Sequence, residues 1–90
     1  MTPETAEKKA IKDYLDLKDY FHFPILQGIA AYKGLPDRFL IKDGVCYALE
    51  IKTGKKSRQS EYQKEFQKNW ERAGGEYILG GIDEVIKAIK

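Results

Sequence analysis

The sequence predicts an α/β fold: a mixed central β-sheet flanked by helices, in the order α-β-β-β-α-β-α. Three observations carry that expectation. Residues 38–42 and 45–52 read as two strands around Asp43-Gly44, the preferred pair for a two-residue hairpin turn. Amphipathic helical patterns precede and follow this hairpin. A short apolar run, Tyr77-Ile78-Leu79, lies between two of those helical segments, so strands and helices alternate in the second half.

Each element has its own local signal. The first helix is expected over residues 3–17. Thr2 suits the N-cap and Pro3 the first helical position. Ala10, Ile11, Tyr14 and Leu15 form its apolar stripe. Glu4 and Glu7 precede Ile11 by seven and four residues, so both project toward the stripe's side. Acids in a first turn also suit the helix dipole without any further role. Residues 20–27 are aromatic and apolar, and Pro24 restricts them to an edge strand. Residues 28–36 contain Gly34 and Pro36 and read as a loop.

After the hairpin, Lys52-Thr53-Gly54-Lys55-Lys56-Ser57-Arg58 is a basic loop. Ser60-Glu61-Tyr62-Gln63 matches a capping box that opens the second helix, with Tyr62, Phe66, Trp70 and Ala73 as its buried stripe. Gly74-Gly75 ends that helix. Residues 83–90 close the chain as a third helix, with Val85, Ile86 and Ile89 facing inward.

Composition bounds the function classes. The 90 residues suit one domain, 1–90, with 42% hydrophobic and 33% charged residues. The net charge of +2, from 16 basic and 14 acidic residues, is too small to identify a nucleic-acid binder by itself. Cys46 is the one cysteine, which excludes an internal disulfide and suits a reducing compartment. The N-terminal residues lack the apolar core of a secretion signal. No apolar run approaches the roughly 20 residues that cross a bilayer. A soluble cytoplasmic protein, of cellular or phage origin, is expected, with no membrane partner.

The chemistry is concentrated on the hairpin. Alternate side chains of a strand share a face, so Ala48, Glu50 and Lys52 point one way and Tyr47, Leu49 and Ile51 the other. With Asp43 and Gly44 as the turn, Lys42 faces Val45, Phe39 faces Ala48 and Asp37 faces Glu50. Facing residues have Cβ atoms about 4.5–5.5 Å apart, so two carboxylates would repel unless a cation sat between them. Lys52 can supply that charge, leaving a neutralised surface pair. A divalent cation is the alternative, since carboxylate oxygens are what Mg²⁺ or Mn²⁺ prefer.

Gly34-Leu35-Pro36-Asp37 followed by Glu50-Ile51-Lys52 resembles the P-D…E-x-K signature of the PD-(D/E)XK nuclease superfamily. Gly34-x-Pro36-Asp37-Arg38-Phe39, Leu49-Glu50-Ile51-Lys52-Thr53-Gly54-Lys55, Ser60-x-x-Gln63 and Ala73-Gly74-Gly75-x-Tyr77-Ile78-Leu79 together resemble the VRR-NUC family, in particular its small stand-alone virus-type modules. The resemblance covers nearly the whole chain and implies a restriction-endonuclease-like core. By position, Asp37 and Glu50 match the metal-binding carboxylates, Lys52 the catalytic lysine and Gln63 a glutamine near the site. Glu4 best matches the first-helix glutamate, with Glu7 the second candidate. No motif is matched between His22 and Tyr32.

The resemblance implies a DNA endonuclease using Mg²⁺ or Mn²⁺, acting on Holliday junctions as a homodimer. The metal would be held by Asp37, Glu50 and the backbone carbonyl of Ile51, with Lys52 managing the attacking water and Glu4 in support. Gln63 is equally explained by its cap. Lys55, Lys56 and Arg58 are either a solvated loop or phosphate contacts. His22, Tyr62, Phe66 and Trp70 read as packing residues, and Cys46 as a small buried one. The competing functions are a catalytically inactive nucleic-acid-binding module and a small structural or interaction protein.

Overall fold

Asp43 and Gly44 both take positive φ, 52° and 82°, as the two-residue turn requires. They join β2 (Arg38–Lys42) to β3 (Val45–Ile51) as an antiparallel hairpin. The turn fixes the register: Lys42 pairs with Val45, Phe39 with Ala48 and Arg38 with Leu49. In the computed structural model, which describes residues 2–26, 28, 32–54 and 58–89, the other elements are α1 (Pro3–Leu17), β1 (Phe21–Pro24), α2 (Glu61–Arg72), β4 (Glu76–Gly80) and α3 (Ile82–Ala88).

The sheet has the order β1-β2-β3-β4. β1 is an edge strand, where the missing N–H of Pro24 costs no ladder bond. β3 and β4 are parallel, with Leu49 beside Ile78 and Glu50 beside Leu79, so the sheet is mixed. Parallel neighbours need a crossover, and α2 lies between them in the chain.

The two faces of the sheet are covered differently. On one, Leu40, Leu49, Ile51 and Ile78 pack with Ile11 and Leu15 of α1 and with Val85 and Ile89 at α3. On the other, α2 lays Phe66 and Trp70 over the sheet. Trp70 stacks on Phe39 at 5.1 Å between ring centroids, and Phe66 meets Tyr77 at 6.4 Å. The indole N–H of Trp70 donates to the Glu76 carbonyl at 2.7 Å, pinning the end of α2 to β4.

Capping follows the sequence. The Thr2 hydroxyl accepts from the Thr5 N–H, and Ser60 and Gln63 form a complete capping box. Four expected core positions are corrected. Tyr62 is 54% exposed and lies under the Lys33 ammonium, 4.9 Å from its ring centroid. Ala73 is exposed at the end of α2. Ile86 is 46% exposed, because α3 starts at Ile82 and turns Ile82, Val85 and Ile89 inward instead. Cys46 is exposed because burial deepens along β3 only beyond the turn, from Ala48 onward. Among the described residues no helix is long and apolar enough to cross a membrane.

Candidate active site

Asp37 directly precedes β2 and is held by its backbone on both sides. Its N–H donates to the Leu49 carbonyl at 2.9 Å, and its carbonyl accepts from the Ile25 N–H at 2.9 Å. Regular pairing stops at Arg38–Leu49, so Asp37 meets β3 through its side chain: the Ile51 N–H donates to Asp37 Oδ2 at 2.7 Å. The carboxylate thus takes the place of a ladder acceptor at the end of the hairpin. Pro36, just before it, is fully buried.

The loop carrying Asp37 reaches the start of α2 through Gly34. This residue has φ of 85°, and a Cβ there would run into the backbone of Tyr62 and Gln63. The close approach brings the first turn of α2 to the hairpin's end. Gln63 then does two things at once. Its Oε1 accepts from the Ser60 N–H at 2.8 Å, completing the cap, and its Nε2 donates to Glu50 Oε1 at 2.9 Å. The cap and the site role are therefore one arrangement of one amide.

Glu50 is 4% exposed on an otherwise apolar strand. Its Oε1 also lies 3.6 Å from the Lys52 ammonium. Its Oε2 is buried and, among the described residues, has no hydrogen-bond partner. Burial, together with the negative charge of Asp37, pushes the Glu50 carboxyl up to about 7, against the opposing pull of Lys52. A buried acceptor without a donor is costly, and one beside a second carboxylate is costlier still. Lys52 continues the line of β3, its N–H donating to the Gly80 carbonyl at 3.1 Å. Asp37, Glu50 and Lys52 therefore converge, as the hairpin parity requires.

Negative charge predominates in this arrangement. Glu50 faces one ammonium and one carboxylate, with its Oε2 left over, and hard divalent cations favour such an oxygen set. Among the described residues no group of three or more His, Cys, Asp and Glu side chains forms a fuller metal cluster. Mg²⁺ commonly keeps several waters and needs few protein carboxylates, so the pair suits it.

A solved structure of a VRR_NUC domain matches this chain with a TM-score of 0.81 and a probability of 1.00. The match covers 100% of both chains at 17% sequence identity. The chain has the VRR_NUC fold. No family model matches the sequence, and no curated protein does. The likeness therefore lies in the path of the backbone.

Within the VRR_NUC fold, the other expected site residues fall differently. Glu4 stays at the exposed start of α1, paired with Lys8 at 3.3 Å. Glu7 accepts from the Ile82 N–H, satisfying the start of α3. Neither acid meets Asp37 or Glu50 in the described contacts. Arg58 is exposed, and Lys55 and Lys56 lie outside the described residues. Sequence reasoning missed Lys8, Arg38 and Ile25, which line a cavity of about 170 Å³ together with Asp37, Ile51 and Pro24. Lys8 carried no local signal beyond its i,i+4 spacing from Glu4.

Proposed function

We propose that this protein is a divalent-metal-dependent DNA endonuclease that hydrolyses phosphodiester bonds, is selective for branched DNA such as a four-way junction, and works as a homodimer. The observation that carries this reading is the partnerless Oε2 of buried Glu50 beside Asp37, with Lys52 within 3.6 Å of the same carboxylate. Asp37, Glu50 and the Ile51 carbonyl would hold Mg²⁺ or Mn²⁺. When bound, that ion supplies Lewis-acid polarisation of the scissile phosphate and eases deprotonation of water.

The chain's own groups do the rest. Lys52, as the ammonium beside Glu50, orients the attacking water and offsets the charge that grows on the phosphate oxygens. Gln63 holds Glu50 Oε1 in place and leaves Oε2 for the ion. Glu4 would act behind the metal-binding carboxylates or complete the coordination. Arg58, with Lys55 and Lys56, contacts backbone phosphates without reading sequence. Junction resolution needs two symmetric cuts, which a two-fold dimer provides.

The test is incubation with a four-way DNA junction, with and without Mn²⁺, alongside the mass of the protein in solution. Metal-dependent cleavage by a dimer is expected. Metal-independent binding without cleavage would instead identify an inactive nucleic-acid-binding module. Asp37→Asn should weaken Mn²⁺ binding measured by calorimetry, and unchanged affinity would remove Asp37 from the ligand set.

A further inference from the structure

A hydrogen-bonded chain of three side chains, running from half-buried Arg38 through buried His22 to exposed Asp16, lies behind the site. His22 of β1 has a side chain only 6% exposed. Its Nδ1 is 2.8 Å from Arg38 Nη1, and its Nε2 is 2.6 Å from Asp16 Oδ1. A guanidinium can only donate, so Nδ1 must accept. The ring proton therefore sits on Nε2 and is donated to Asp16. The hydrogen bond from His22 holds the Asp16 carboxyl below its usual range. The direction of every bond is thereby fixed, from Arg38 through His22 to Asp16.

This wiring is more than core packing needs. Arg38 lies between Asp37 and Phe39, with its side chain on the Leu40–Leu49 face by strand parity. One of its five N–H groups is committed to His22. The same guanidinium lines the cavity of about 170 Å³ that also exposes Lys8, Asp37 and Ile51. Two cationic side chains thus border a polar recess beside the carboxylate assigned to the metal. Its size suits one phosphodiester group.

We propose that Arg38 and Lys8 form a cradle for a DNA backbone phosphate next to the scissile one, with His22 and Asp16 as the positioning residues that aim the Arg38 guanidinium. A planar guanidinium with a locked orientation binds phosphate through two parallel N–H bonds, whereas a free one first loses its rotamer entropy. Lys8 adds a point charge from α1, and its present partner Glu4 is exposed and exchangeable. The cradle rests on the nuclease reading for its substrate but not for its test.

The experiment measures binding of the whole protein to a four-way junction in Ca²⁺ across a salt series, with Mn²⁺ affinity measured separately. Arg38→Gln and Lys8→Gln should each weaken junction binding about tenfold and lower the slope of log K against log salt by about 0.9 per lost contact. Mn²⁺ affinity should stay within twofold of wild type. In cleavage assays the loss should fall on KM and not on kcat. His22→Leu should reproduce the Arg38→Gln loss. His22→Asn, whose amide oxygen can replace Nδ1 as acceptor and whose NH₂ can reach toward Asp16, should restore most of it. Lys8 is a surface residue, so its variant reports even if Arg38→Gln unfolds. Wild-type junction affinity and salt slope in Lys8→Gln together with either His22→Leu or Arg38→Gln would overturn the cradle. Failure of the wild-type protein to bind the junction at all would overturn both the cradle and the nuclease reading. Wild-type binding without cleavage, with weaker binding in the variants, would sink only the catalysis.

Discussion

The two faces of β3 spend the same strand in opposite ways. Leu49 and Ile51 point into a mainly aliphatic layer covered by α1 and α3, built of Ile11, Leu15, Leu40, Ile78, Val85 and Ile89. Ala48 and Glu50 point toward α2, where aromatic rings give way to a carboxylate with one unmatched oxygen. The first face gains stability from burial. The second gives some of it up by burying a charge beside a like charge. That imbalance is the feature on which the proposed metal site rests.

The contrast breaks most sharply at Lys52. Lys52→Ala should lower metal-dependent cleavage by about 10²–10⁴-fold while folding and Mn²⁺ binding persist. Near wild-type rates would take the amine out of the reaction.

On the aliphatic face, Leu49→Ala should cost about 2–5 kcal/mol of unfolding free energy, read from denaturant curves, because the side chain is wholly buried. Glu50→Gln, one position on, should do the reverse. Without divalent ions at pH 8 it should gain on the order of 1–3 kcal/mol, while cleavage disappears. A destabilised Glu50→Gln would mean that the carboxylate is already satisfied.

The same imbalance gives a pH dependence. The folded Glu50 carboxyl stands at about 7 against an ordinary 4.5, so between these values the native state binds more protons than the unfolded chain. Its contribution to stability is present below about 4.5 and is lost as pH rises toward about 7, with a slope of at most about 1.4 kcal/mol per pH unit. Thermal melts from pH 4.5 to 8 should show the decline, Mn²⁺ should offset it at the upper end, and Glu50→Gln should flatten it. A wild-type profile that rises over this window would contradict the burial of a strained carboxylate.

The smallest effect separates the cap from the site. Ser60→Ala should cost about 1 kcal/mol by removing one half of the capping box, with Mn²⁺ affinity unchanged. Gln63→Ala should cost a similar amount and also weaken Mn²⁺ binding, since it frees Glu50 Oε1. Equal metal affinity in the two variants would reduce Gln63 to a cap.

Much of the site was legible because its logic is local. Asp43-Gly44 dictates a turn, the turn dictates register, and register puts an acid at 37 near an acid at 50 and an amine at 52. Glu4 was less legible. Its place beside the apolar stripe of its own helix did not reveal that it would be exposed and paired with Lys8, one turn on, which lines the cavity with Asp37. Glu7 was drawn to the N-terminus of α3, 75 residues away in the chain. His22 looked like packing among aromatics, and nothing in its neighbourhood of the sequence announces Arg38, 16 residues on.

By itself, then, the sequence determined the elements, their caps, the hairpin and the parity of β3, because each depends on backbone geometry within a few residues. Tertiary structure alone decided which parts of those faces helices would cover: Ala48 and Glu50 but not Cys46, Val85 and Ile89 but not Ile86. It also decided that one oxygen of Glu50 would be buried without a donor. Burial and hydrogen-bond satisfaction depend on how distant elements dock, and no local pattern encodes that distance.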